Sequence, residues 1–477
     1  MPVITKHMRS RLLFIAAATL LSSSTDMVVA AEKRPNVLFI AVDDLNDWIG
    51  CLGGHSQTCS PHIDALAKRG VLFERAYCAA PACNPSRAAL MTGIAPYKSG
   101  VYHNPQAWRT AMPDAVTLPQ LFMRHGYHAW GCGKIYHGAF PDDASWEEYQ
   151  KKGNDPKPKK TPVNGIPKTA HFDWGPVDAT NEAMNDHRMV DWAIEKLQQE
   201  HDQPFFLACG IYRPHLPWYV PQKYFDMYPL DEIELPKVND DDLSDIPPAG
   251  VRIAKPQGDH KKVLATDQWK QAVQGYLASV TFADDQVGRL IAALDASDHA
   301  KNTIVILWGD HGWHLGEKHH WRKFSLWEEA DRAPLMMVVP NTTKAGGRCA
   351  SPVSFMDIYP TLAELCGLPL GEHLDGVSLQ ELLADPQVDW DRPAITTHGR
   401  NNHAVRSQRW RYIRYEDGSE ELYDHNNDEY EWTNLATDPA QESDKKDLAK
   451  WLPKVNVPNS PYASSKKQPA KEPKANK

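Results

Sequence analysis

An unbroken apolar run from Asn36 to Val42 ends abruptly on two acidic residues, Asp43 and Asp44. A short β-prone run without polar alternation suits a strand buried on both faces of a parallel sheet. The pattern returns at Pro204 to Ile211, followed by Arg213-Pro214-His215, and at Asn302 to Trp308, closed by Gly309-Asp310-His311. Gly126 to Lys134 reads as a strand running into a loop. Between these runs the period changes. Pro61 to Gly70 has helical spacing and stops on a glycine, and Trp269 to Leu294 is a long amphipathic helix. Strands alternating with helices predict an α/β sandwich with a mostly parallel central sheet. Such sheets bind ligands beyond the carboxyl ends of their strands. The acids that close two of the runs are therefore candidate site residues.

Two polar stretches, Pro141 to Asp173 and Leu230 to Lys261, read as inserted loops that could shape a pocket rim. From about Gly371 the character changes. Short β-like pieces occupy Pro393 to Tyr423, with Asp417-Gly418 as a hairpin turn, so a smaller C-terminal domain with a short antiparallel sheet and a packed helix is expected. The residues from Val457 onward are rich in Lys, Pro, Ser and Ala and read as a disordered tail. At the other end, Lys6, Arg9 and Arg11 precede an apolar run, Leu12 to Leu21, and small residues ending at Ala30-Ala31. That is a signal peptide; the alternative is an uncleaved anchor, although the run is short for a bilayer. The expected division is 1–31 signal peptide, 32–370 catalytic domain, 371–456 C-terminal α+β subdomain and 457–477 tail. Export to a periplasm, the cell exterior or a eukaryotic secretory or lysosomal route follows, with no membrane span in the mature protein.

The chain has 477 residues, enough for a large core, and a formal net charge of -9. Nucleic acid usually demands a basic face, so it is not expected as a partner. A small basic pocket for one anion remains compatible with that charge. The eight cysteines form no C-x-x-C pair, which argues against a zinc site.

One of those cysteines opens the stretch Cys83-Asn84-Pro85-Ser86-Arg87-Ala88-Ala89-Leu90-Met91-Thr92-Gly93. It matches C-x-P-S-R-x-x-x-[L/M]-T-G, and by it the chain resembles the type I sulfatases, with an overall pattern nearest the iduronate-2-sulfatase branch. The resemblance covers nearly all of the chain beyond the leader and implies an alkaline-phosphatase-like fold. It also implies that Cys83 is converted by a maturase to formylglycine, whose hydrate attacks sulfur. A plain serine would be left as a stable sulfate ester, whereas the hydrate can expel sulfate.

The resemblance further implies a Ca²⁺ site, with Mg²⁺ as the other candidate, formed by Asp43, Asp44 and Asp310 with Cys83. Three carboxylates make a hard oxygen site for such an ion. His311 stands where many sulfatases carry asparagine and is either a metal ligand or a sulfate contact. Arg87 is implied to hold the modified residue, and Lys134 and Lys323 the sulfate oxygens, with Arg322 a positional competitor of Lys323. His137, in a Gly133-Lys134 element one residue longer than the family's usual spacing, would take a proton as sulfate leaves. His215, between Pro214 and Leu216-Pro217, would serve the leaving-group oxygen.

Substrate contacts are expected from Trp313 and from a C-terminal group, His398, Arg400, His403 and Arg406, which could meet a uronate carboxylate. The aromatic residue reads equally well as core, and the C-terminal group equally well as a solvated hairpin. Phe324 stands where the iduronate branch carries a tyrosine. The leading expectation is a hydrolase for a sulfated carbohydrate, a 2-O-sulfated uronic acid. The alternatives are another sulfated polysaccharide, a phosphoester or phosphonate hydrolase on the same frame, or a non-catalytic glycan-binding protein.

Overall fold

The apolar run Asn36–Val42 forms strand β1, with all seven residues buried. Side chains alternate along it, so Leu38, Ile40 and Val42 enter one core and Val37, Phe39 and Ala41 another. This two-sided demand for apolar residues explains the unbroken run. The computed structural model describes residues 1–3, 34–167, 169 and 171–462. All but the first three residues of the expected signal peptide, and the tail beyond 462, lie outside them.

Eight strands form the main sheet. In chain order they are β1, β2 (Val71–Phe73), β3 (His128–Gly133), β4 (Glu148–Lys151), β5 (Phe205–Ile211), β6 (Thr303–Gly309), β7 (Leu335–Val338) and β8 (Gly347–Cys349). Across the sheet they lie β8-β2-β7-β6-β1-β5-β3-β4. β1 pairs in parallel with β5 and β6, β5 with β3, and β3 with β4; β7 runs antiparallel to both its neighbours. The sheet is thus mostly parallel, as expected, and the fold is alkaline-phosphatase-like.

Helices cover both faces. Helices α1 (Pro61–Ala67) and α3 (Asn185–Leu197) bury one side-chain stripe each in the first core, and the 27-residue α4 (Trp269–Asp295) is buried on all sides from Gly275 to Asp284. Helix α2 (Cys83–Thr92) delivers Leu90 and Met91 to the second. β4 was not foreseen because it is a polar edge strand with no apolar alternation. The expected loop Leu230 to Lys261 contains one short helix, Pro248–Ala254, and the start of another, Asp259–Ala265; the first is begun by a proline that needs no N–H partner there.

Four antiparallel strands follow in sequence order, β9 (Ala394–Thr397), β10 (His403–Arg406), β11 (Trp410–Arg414) and β12 (Glu420–Asp424). Helix α5 (Glu442–Ala449) packs Leu448 against Trp410, Tyr412 and Leu422. Residues from Arg34 onward nevertheless form one compact unit. Of the tail expected from 457, residues 457–462 are tied to the body. Val457 N–H donates to Tyr97 O and Ser460 N–H to Gly100 O. Among the described residues no helix is long and apolar enough to cross a membrane.

Candidate active site

Parallel register brings the candidate residues together. Val42 pairs with both Ile211 and Gly309, and Gly133 pairs with Gly210. Four adjacent strands therefore end at one level. β1 leads into Asp43-Asp44, β6 into Asp310-His311, β3 into Lys134, and β5 into the loop carrying His215. The exit from β3 needs glycine. Gly133 has φ 72°, and a Cβ there would lie 1.9 Å from Gly210 O.

Cys83 is the first residue of α2 and is buried. Its neighbours in the motif fasten the helix. Asn84 Nδ2 donates to Gln106 O (2.7 Å), its N–H to Asn104 Oδ1 (3.0 Å), and Ser86 Oγ to Asp310 O (2.5 Å). Cys83 Sγ lies 2.9 Å from Lys323 Nζ, 3.5 Å from Lys134 Nζ and 3.4 Å from His311 Nε2. Burial outweighs the two lysines and pushes the thiol up to about 12, so it stays protonated near neutrality.

Arg87 is fully buried, and its donors go to other partners than the expected one. Nε donates to Asp310 Oδ2 (2.8 Å), Nη2 to Asp43 Oδ1 (3.2 Å), and Nη1 to Ile135 O (3.0 Å) and Lys134 O. It braces the carboxylates and the exit of β3, and no hydrogen bond joins it to Cys83.

Asp43, Asp44, Cys83, Asp310 and His311 each offer an atom within 4.8 Å of the others, all buried. This donor set fits a hard divalent ion. Asp44 Oδ2 is buried without a hydrogen-bond partner. Burial raises the Asp44 carboxyl to about 7 even with Lys323 Nζ 2.6 Å from Oδ1, so a cation is what would hold it ionised. His311 Nδ1 lies 3.0 Å from Gly312 O, which makes Nδ1 the protonated nitrogen and leaves the Nε2 lone pair aimed at the cluster. Three acids, Asp43, Asp44 and Asp310, face three cations, Arg87, Lys134 and Lys323. A divalent ion would leave a net positive site for an anion.

His215 Nδ1 donates to Leu216 O (2.5 Å) and its Nε2 lies 3.9 Å from Asp44 Oδ2. Burial, with Lys134 next, lowers it well below the ordinary histidine value. His137 is lowered to about 4, chiefly by burial, and its Nδ1 has no partner. Lys134, His137 and His215 share the wall of a cavity of about 460 Å³ with Tyr149, Lys152 and Tyr212. The last three were not foreseen. Tyr212 follows β5 directly and could have been found by its place between that strand and His215; Lys152 carries no local signal.

The expected substrate contacts separate. Trp313 is 2% exposed and packs in the first core beneath Lys323, whose Nζ lies 5.3 Å from its ring. His403 is buried in β10 with Nδ1 2.9 Å from Thr397 Oγ1, and Arg406 is buried against Glu328 (Nε to Oε2, 3.1 Å). Neither faces the cavity, because inward positions of a strand are spent on its own core. Arg400 is exposed and donates to Asn456 O (3.1 Å). His398 alone approaches the site segments, with ring centroids 6.2 Å from His103 and 6.3 Å from Phe324. Lys323 reaches Cys83, whereas Arg322 pairs with Asp259 at 2.8 Å.

With this geometry in hand, comparisons with known proteins are consistent. The family model described as Sulfatase matches residues 35–368, and the one described as N-sulphoglucosamine sulphohydrolase, C-terminal, matches 311–457. The chain is 41% identical over 472 residues to a protein of Formosa agariphila named Sulfatase, covering 94% of this chain and 93% of that one. It is 30% identical over 409 residues to human iduronate 2-sulfatase, covering 74% and 72%. Among solved structures, one described as a 2-O GAG sulfatase aligns with TM-score 0.69 and 22% identity over 88% of this chain and 91% of that chain. A phosphonate monoester hydrolase from Silicibacter pomeroyi aligns with TM-score 0.72 and 22% identity over 87% and 94%, which speaks for the fold alone. The family match spans well over half of the chain and coincides with the strand ends that converge on Cys83, so the chain belongs to the sulfatase family, the sulfuric ester hydrolases that act on sulfated substrates.

Proposed function

We propose that this sulfatase removes sulfate from a 2-O-sulfated uronic acid, using formylglycine formed from Cys83 by a maturase, in an exported protein. The observation that carries the reading is the position of Cys83 Sγ, 2.9 Å from Lys323 Nζ and 3.5 Å from Lys134 Nζ, beside the buried acids. Likeness to human iduronate 2-sulfatase supports the sugar.

Asp43, Asp44, Asp310 and His311 would hold Ca²⁺, which when bound supplies charge that polarises the sulfate ester. Hydrated formylglycine supplies a hydroxyl as nucleophile at the start of α2. Lys134 and Lys323 bind sulfate oxygens; both ammonium groups are held by carboxylates, so they are oriented before the substrate arrives. Arg87 keeps those carboxylates in place. His215 Nε2 faces the site and, once the ring is protonated, gives a proton to the leaving oxygen. An arriving sulfate ester brings negative charge, which opposes the burial that keeps this ring neutral. His137 takes the proton released as sulfate departs.

The test is a sulfate-release assay on defined sulfated saccharides, with aryl sulfate and aryl phosphate in parallel and mass analysis of the Cys83 peptide. Release from 2-O-sulfated uronate by protein carrying the aldehyde is expected. Turnover by protein with an intact thiol, or faster hydrolysis of the phosphate, would sink the reading.

A further inference from the structure

The cavity that holds Lys134, His137 and His215 on its wall is also lined by the half-buried Tyr212 and the exposed Lys152. Most charge along it is already neutralised. Asp142 accepts from Arg109 Nε (3.1 Å) and Nη2 (2.7 Å), and Asp143 pairs with Lys151 (3.4 Å). Asp155, an acid that acts on Lys152, is taken by Arg213 (3.2 Å) and by the N–H of Asn185 (2.8 Å). Lys152 has no ion pair among the described residues. Its Nζ lies 3.3 Å from the centroid of the Tyr212 ring. That ring in turn packs against His215 with centroids 4.6 Å apart. The ammonium and the imidazole at the leaving-group side thus both contact one aromatic ring, that of Tyr212.

We propose that Lys152 is a specificity residue that binds a second anionic group, a carboxylate or a second sulfate, on the sugar that leaves. The proposal rests on the reading of this site as a carbohydrate sulfatase. An ammonium seated on an aromatic face keeps N–H groups free for a ligand, and the ring restricts the lysine before binding, so less side-chain entropy is lost. A sugar with no second charge would leave that ammonium unpaired and gain nothing from it. The anion would also be drawn to the only uncommitted cation on the cavity wall among the described residues, which orients the sugar with its sulfate toward Cys83.

The experiment compares wild type, Lys152→Ala and Lys152→Arg on four substrates: a 2-O-sulfated uronic acid methyl glycoside, its carboxylate methyl ester, and a hexoside with one or with two sulfates. Lys152→Ala should raise KM for a doubly charged substrate about tenfold, with a far smaller change for its singly charged partner and in kcat. Lys152→Arg should recover most of the loss. A difference confined to the uronate pair identifies a carboxylate ligand, and one confined to the hexosides a second sulfate. Equal losses on doubly and singly charged partners, or no loss on any, would overturn the role of Lys152. If wild type releases sulfate from none of the four or from an aryl sulfate, the functional reading fails instead. Binding of the desulfated uronic acid and of the singly sulfated hexoside, measured by calorimetry, then decides the question: weaker binding of either by Lys152→Ala supports the proposal, and equal affinity for both refutes it.

Discussion

At the scale of single residues, the chemistry turns on what burial does to each charge. The Cys83 thiol is pushed up to about 12 and is a poor nucleophile as it stands, which accords with conversion to an oxygen nucleophile. Cys83→Ala should lower sulfate release at least ~10³-fold while leaving the unfolding midpoint near that of wild type; retained turnover would remove Cys83 from the mechanism. Asp310→Asn should weaken divalent binding in a calcium titration, since Asp310 both joins the cluster and anchors Arg87 (2.8 Å). Unchanged affinity would mean that the ion lies elsewhere. Histidines buried as neutral rings give a separate, testable slope. His403 is 4% exposed and held at about 4 by burial, against an ordinary 6.5. The unfolded chain binds that proton first, so the contribution is complete above pH 6.5 and is lost as pH falls toward 4, about 3 kcal/mol in all. Asp284 and Asp357, both raised to about 6 by burial, slope the other way. Comparison with His403→Gln isolates the histidine: the variant's stability should fall less than wild type's between pH 6.5 and 4. Parallel curves would contradict the shift.

At the scale of elements, strand exits aim the site. Gly133 ends β3 with φ 72° and no room for a Cβ against Gly210 O, and Lys134 is the next residue. Gly133→Ala should therefore cost at least ~2 kcal/mol and also shift Lys134, lowering kcat/KM in the folded fraction by about 10²-fold. Normal activity in a destabilised variant would show that the exit does not set the lysine. The elements also separate what could be read locally from what could not. β1, β5 and β6 were legible because burial on both faces demands continuous apolar runs. α4 was legible because its second half, with Val287, Leu290 and Leu294 buried, keeps a helical period. β4 was not, because an exposed edge imposes no pattern. For Trp313 and His403 the sequence left a substrate contact open against another reading for a related reason: residue type does not say which way a side chain points once its element packs.

At the scale of the whole molecule, the C-terminal sheet is part of the body. Arg411 on β11 is buried between Asp331 (2.8 Å), Glu431 (2.6 Å) and Glu328, while Trp327 donates to Glu421 Oε2 at 2.8 Å. Arg411→Met would leave Asp331 without its cation, and Glu328 and Glu431 with Arg406 and His425 alone, and should cost ~3–5 kcal/mol in urea unfolding; a loss below ~1 kcal/mol would mean that the junction is held by packing alone. By itself, the sequence determined the α/β class, the motif thiol, and the acids that close β1 and β6. Those signals are short-range, because strand burial and a contiguous motif leave their marks on neighbouring residues. Only the tertiary structure decided that Arg87 braces Asp43 and Asp310, that His311 aims Nε2 at Cys83, and that Lys152 stands on Tyr212 beside His215. Those partners are far apart in the chain, and their encounter depends on the register of parallel strands and on which polar groups packing leaves without a partner.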